Sequence, residues 1–206
     1  FNSEKWIWAN NLKFKKKFLK IDNFIKKNIS TFEAILENES IKEQIIRISD
    51  SVKTTFKNNG KIFFAGNGGS FSDSQHIATE FIAKYKTERC PLPSIALGTN
   101  SSNLTAVGND FGFNNIFSRE FEALANHNDI LIALSTSGNS QNIINLVLKA
   151  KDLGIRFFIL TGSNGGKLAE FKEYCLFVPS EETPLIQQCH ISILHLIVEL
   201  SEEEFV

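Results

Sequence analysis

The chain has 206 residues, enough for one sizeable core, and domain-size statistics favour a single domain. Hydrophobic residues make up 42% and charged residues 22%, the balance of an ordinary soluble globular protein. A formal net charge of −1 gives no basis for a nucleic-acid-binding surface. No apolar run approaches the roughly 18 residues that a membrane span requires, so no membrane association is expected.

The N-terminal stretch lacks the charged–apolar–small layout of a signal peptide. Cys90, Cys175 and Cys189 are scattered and show no C-x-x-C spacing, which suits a reducing compartment and gives a cytoplasmic expectation.

Residues 1–60 read as helix. "SEKWIWANNLKFKKKFLKIDNFIKKN" and "SIKEQIIRISDSVKTTFKN" space their apolar residues by three and four, and Ser40 with Glu43 reads as a capping box opening the second segment. Beyond Gly60 the texture changes. Five short apolar runs, "KIFFAG", "SIALG", "DILIALS", "RFFILTG" and "YCLFVPS", alternate with helical patterns, and each is continuous enough for a strand buried on both faces. Strands alternating with helices imply right-handed crossovers. The expected fold is therefore α/β, a doubly wound five-stranded parallel sheet of flavodoxin-like type over residues 61–206. Residues 1–60 form an N-terminal helical arm, and a last helix starts near Pro184.

Ligands of such sheets bind where strands exit at their carboxyl ends. After "KIFFA" comes Gly66-Asn67-Gly68-Gly69-Ser70, whose glycines imply positive φ or a close backbone approach. After "DILIAL" come Ser135, Thr136, Ser137, Gly138, Asn139 and Ser140, then a helix. Free N–H groups and the positive end of a helix dipole favour an anion there, and four hydroxyls add donors. No Gly-Lys-Ser/Thr follows, so a phosphomonoester is expected rather than a nucleoside triphosphate. The plainer alternatives are a tight turn without a ligand and a polar turn with Ser140 as N-cap.

His76 and Glu80 lie at i and i+4 and share a helix face, a spacing that suits two ligands of one metal ion and equally a surface hydrogen bond. In "PLIQQCHISILHLIVEL", Gln187, His190 and His195 interrupt an apolar helix. His190 and His195 point about 140° apart, so they do not readily share a site, and a satisfied core position is expected for His190. Gln187 and His195 are about 80° apart but separated by about 12 Å of rise. They meet one ion only by leaning towards each other or from different subunits.

"AGNGGSFSDSQHIATEF", "VGNDFGFNNIFSRE", "LSTSGNSQNII", "LTGSNGGKLAE" and "IQQCHISILHLIVEL" appear in the order found in the bacterial phosphoheptose isomerase family, which has the sugar isomerase (SIS) fold. The resemblance runs from about Lys61 to the C-terminus. It implies aldose–ketose isomerisation of sedoheptulose 7-phosphate to D-glycero-D-manno-heptose 7-phosphate, the first step towards ADP-heptose for the lipopolysaccharide core. It also implies a homotetramer with active sites at subunit interfaces. Carried over by motif, Asn67, Gly68, Gly69 and Ser70 contact the sugar phosphate, and Asn109 and Asp110 hold the sugar. Ser135, Thr136, Ser137 and Ser140 form the phosphate pocket. His76, Glu80, Gln187 and His195 bind one zinc per subunit, Glu80 and Gln187 also meeting substrate, with Glu80 and His195 as the acid–base pair. Lys84 and Leu185 stand where the family commonly has arginine, which bears on substrate affinity or identity. The alternatives are a non-enzymatic tetrameric adaptor of the same fold that binds the replication initiator, and a phosphosugar-sensing module. A pure binder has no chemical need for the reacting-end set of His76, Glu80, Gln187 and His195.

Overall fold

The computed structural model describes the backbone of residues 3–206 and side chains from Lys13 onward. The apolar spacing expected in residues 3–12 therefore lies outside the described side chains. Helices α1 (Ser3–Leu36) and α2 (Glu39–Lys57) form the N-terminal arm. Then β1 (Ile62–Ala65), α3 (Gly69–Ile82), β2 (Ser94–Ala96), α4 (Ser101–Phe111), a 3-10 turn and α5 (Ile116–Leu124) follow. The chain continues through β3 (Ile130–Ser135), α6 (Gln141–Asp152), β4 (Arg156–Thr161), a long 3-10 segment, β5 (Cys175–Phe177) and α7 (Thr183–Glu202).

All strand pairings are parallel, and the sheet order is β2-β1-β3-β4-β5. That is the flavodoxin-like order, with its switch point between β1 and β3. The five strands coincide with the five apolar runs of the sequence.

Alternate strand residues feed two cores. Phe64, Ile132, Phe158 and Leu160 face α2, α3 and α7 with Ile45, Val52, Phe81, Ile193 and Ile197. Phe63, Leu131, Ala133 and Ile159 face α4, α5 and α6 with Val107, Phe117, Phe121, Ile143 and Val147. Because both faces are covered, the strands could not alternate polar and apolar residues. Burying a phenylalanine such as Phe63 or Phe64 is worth about 1.5–3 kcal/mol.

The expected capping box is not used. Asn38 is the N-cap of α2, in extended conformation, and its side-chain oxygen accepts from the Ile41 N–H. Ser40 is already inside the helix, where its hydroxyl cannot cap. An asparagine two residues earlier reaches the free N–H groups first.

Along α1 the packing changes. Thr31 is buried and Ile35 packs against the core, whereas Phe14, Phe18, Ile21, Phe24, Ile25 and Ile29 are exposed. Phe24, Ile25, Ile29, Phe32, Leu36 and Gln188 line an apolar groove of about 620 Å³.

Candidate active site at the strand exits

At the exit of β1 the chain turns through Asn67 and Gly68 into α3. Gly68 is the N-cap with φ +56°, a left-handed conformation that a side chain would strain. Ser70 is buried, while Gly68 and Gly69 are exposed. A Cβ on Gly69 would lie 2.5 Å from Nε2 of Gln187, so the glycine lets the α7 amide close over the turn.

At the exit of β3, Ser140 occupies the N-cap of α6, but its side chain makes no capping hydrogen bond. The capped-turn alternative therefore does not account for this hydroxyl. Ser137 Oγ accepts from the Asn139 N–H at 3.2 Å, leaving its O–H free to donate. Ser135 buries a hydroxyl without a protein partner, as does Thr161, its register partner on β4. The turn is braced from behind. Asn139 Oδ1 accepts from Lys167 N–H at 3.0 Å, and the Gly138 carbonyl accepts from Leu168 N–H at 3.1 Å. Gly138 has φ +63°, and a Cβ there would collide with the Gly165 carbonyl.

The two exits are joined. Asn67 and Asn142 exchange reciprocal amide hydrogen bonds, and Asn142 is buried. The pairing turns the Asn67 side chain towards α6, beside the exposed backbone of Gly68 and Gly69. The sequence reading missed Asn142, although it stands two residues beyond Ser140 on the same helix.

The titratable residues gather from two helices. His76 and Glu80 come from α3 and His195 from α7, and one potential ligand atom of each lies within 4.8 Å of the others. His76 Nε2 is 3.1 Å from Glu80 Oε1. The His76 and His195 rings meet edge to face with centroids 5.0 Å apart. Burial holds the His195 imidazole below the ordinary histidine range; His76 pushes in the same direction and Glu80 opposes it. Two imidazoles and a carboxylate at this separation make a nitrogen–oxygen donor set that a divalent metal such as zinc accepts. Gln187 lies two turns before His195 on α7, with its amide against Gly69, the first residue of the helix that carries His76 and Glu80.

Three features of this region were not anticipated. Tyr85 stacks on His195 with centroids 5.2 Å apart and planes 12° apart. Asp73, one turn before His76, has one carboxylate oxygen buried and unpaired. Burial raises its pKa above the ordinary carboxylate value, against the opposing effect of His76. Arg89 donates to the Glu80 carbonyl. None belongs to a motif with a spacing rule, so only the tertiary contacts reveal them.

His190 is fully buried, with Nε2 3.4 Å from the Thr161 carbonyl, away from the triad. Asn109 and Asp110 lie exposed on α4, bonded to each other at 2.8 Å. Helix α4 packs against α5 and the following 3-10 turn. Of the positions where family arginines were expected, Lys84 is exposed and Leu185 is buried in the core.

The SIS domain profile matches residues 23–162. The phosphoheptose isomerase of Aquifex aeolicus is 48% identical over 80% of this chain and 86% of its own length. The chain belongs to the SIS domain family, in its phosphoheptose isomerase group. The corresponding protein of Aneurinibacillus thermoaerophilus is 45% identical over 89% of this chain and 92% of its own. Among solved SIS structures, a phosphoheptose isomerase from Francisella tularensis superposes with a TM-score of 0.86 at 32% identity, covering 91% of this chain and 98% of that one. One from Neisseria gonorrhoeae gives 0.82 at 32% identity, covering 89% and 97%. These SIS relatives span both helical arm and sheet.

Proposed function

We propose that the chain is an aldose–ketose isomerase that converts sedoheptulose 7-phosphate to D-glycero-D-manno-heptose 7-phosphate, supplying heptose for ADP-heptose and the lipopolysaccharide core. The observation that carries this reading is the meeting of His76, Glu80 and His195, contributed by two helices, with Gln187 leaning over the adjoining glycine turn. A phosphosugar bound without chemistry would need only the turns.

The phosphate is received by Ser135, Thr136, Ser137 and Ser140 at the N-terminus of α6, where dipole and hydroxyls both favour an anion. Asn67, Gly68, Gly69 and Ser70 line the other side, and Asn109 and Asp110 hold the sugar. The reaction moves a proton from C1 to C2 through an enediol, which needs a base near carbon and an acid near oxygen. Glu80 takes the C1 proton, and His195 serves the oxygens. Burial favours the neutral form of the His195 imidazole, the form able to accept a proton or a metal ion. One zinc per subunit, held by His76, Glu80, Gln187 and His195, would polarise the carbonyl and stabilise the developing oxyanion.

The active assembly is a homotetramer in which residues 1–60 pack on and between subunits and residues 61–206 form the sugar-phosphate domain. The exposed apolar side chains of α1 support this reading. The three cysteines are free, which supports the cytoplasmic reading, and no described helix is long and apolar enough to cross a membrane. The test is a coupled assay with sedoheptulose 7-phosphate, before and after chelation and after zinc is restored. Turnover lost on chelation and regained with zinc is expected; a metal-replete protein without turnover would refute the assignment.

A further inference from the structure

Helix α7 presents His195, Glu199 and Glu202 on one face, at spacings of four and three. The segment that follows α3 gives each of them a partner. Tyr85 stacks on His195. Lys86 Nζ donates to Glu199 Oε2 at 2.8 Å. The Lys86 and Thr87 N–H groups donate to Glu202 Oε1 at 3.0 and 3.3 Å, and Arg89 Nε donates to Glu202 Oε2 at 3.2 Å.

Arg89 also faces the other way. Its Nη1 donates to the Phe81 carbonyl at 2.8 Å and to that of Cys90 at 3.1 Å, and its Nη2 donates to the Glu80 carbonyl at 2.9 Å. The Glu80 and Phe81 carbonyls belong to the last turn of α3, where acceptors lack intrahelical donors. One guanidinium thus joins the backbone of Glu80 to the far end of the helix that carries His195.

We propose that Arg89, acting through Glu202, is a positioning residue: the segment from Lys84 to Cys90 straps α3 to α7 and holds His76 and Glu80 in register with His195. The inference rests on the triad being the reacting centre proposed above. The side chains of Arg89 and Glu202 are 0% and 2% exposed. A buried ion pair often gives no net stability over apolar residues of the same volume, so stability alone is a poor reason for this one. Its directionality is the better reason. The apolar contact of Phe81 and Ile77 with Ile193 and Ile197 tolerates sliding, whereas a planar fork with four matched acceptors does not. Lysine could not replace it, because a single ammonium cannot reach both carbonyls and the carboxylate.

Cobalt(II) provides a readout separate from turnover, since it occupies nitrogen–oxygen sites and its absorption reports ligand geometry. The proteins to compare are the parent, Arg89→Lys, and the double variant Arg89→Met with Glu202→Leu, which replaces the buried charges by apolar groups of similar volume. The double variant is expected to melt near the parent temperature, yet to bind cobalt at least tenfold more weakly with a changed absorption band. Its kcat should fall more than its KM rises. A folded double variant with the parent's cobalt affinity, spectrum and kcat would reduce the pair to packing and overturn the proposal. Should the double variant not fold, Arg89→Lys carries the same test with the same opposing outcomes. A parent that neither binds cobalt nor isomerises the sugar removes the centre itself, and with it the positioning role.

Discussion

Asn67 and Asn142 exchange two side-chain amide hydrogen bonds, 2.8 and 2.9 Å long, across 75 residues of sequence. Each amide spends one donor and one acceptor on the other, so the β1 exit and the start of α6 move as one body. Asn142→Ala breaks both bonds while touching neither the triad nor the strand cores. Two neutral hydrogen bonds contribute roughly 1–3 kcal/mol together, so the phosphosugar KM is expected to rise about tenfold with a smaller change in kcat. Steady-state kinetics decide it. An unchanged KM in a folded variant would mean that the backbone alone sets the spacing of the turns.

Ser137 tests the proposed phosphate end directly. Its hydroxyl oxygen is engaged by the Asn139 N–H, which leaves the O–H as donor. Ser137→Ala removes one hydrogen bond to a charged group, roughly 1.5–3 kcal/mol. Inorganic phosphate should inhibit this variant less than the parent, with metal content unaltered. Equal inhibition constants would reduce the serine-rich turn to a structural one.

Glu80→Gln is nearly isosteric but accepts no proton. Turnover should fall roughly 10²–10⁴-fold, the range for losing a general base, while the phosphosugar still binds. Because Glu80 also belongs to the donor set beside His76, metal content is measured alongside. Near-parental turnover would remove Glu80 from the chemistry.

His190 gives a prediction for stability rather than activity. Complete burial pushes its pKa down to about 4, partly opposed by the Thr161 carbonyl. The unfolded chain takes up this proton near the ordinary value of about 6.5, before the folded one does. Stability therefore falls as pH drops from about 6.5 to about 4, by up to ~1.4 kcal/mol per pH unit from this group, and that loss ceases below the folded value. His190→Leu should flatten this part of the acid limb in urea unfolding measured across that range. An identical pH slope in both proteins would contradict the burial argument.

The sequence by itself determined the parallel sheet, because strands covered on both faces must be continuously apolar and the five runs "KIFF", "SIA", "ILIALS", "RFFILT" and "CLF" have no other reading once helices separate them. It also determined the two polar exits, since glycine and hydroxyl residues at strand ends are local features, and the pairing of His76 with Glu80, which follows from helical pitch. Tertiary structure decided the rest. The choice between Asn38 and Ser40 as cap depended on where the chain enters α2. The company of His195 depended on how α7 lies across α3, a contact between residues more than a hundred positions apart that periodicity cannot encode. His190 takes the core position expected of it, and the same packing brings His195 to α3: at about 140° around the helix, one ring meets α3 and the other meets the sheet. Tyr85, Arg89 and Asn142 had no sequence signature, because what they do is join segments that only folding brings together.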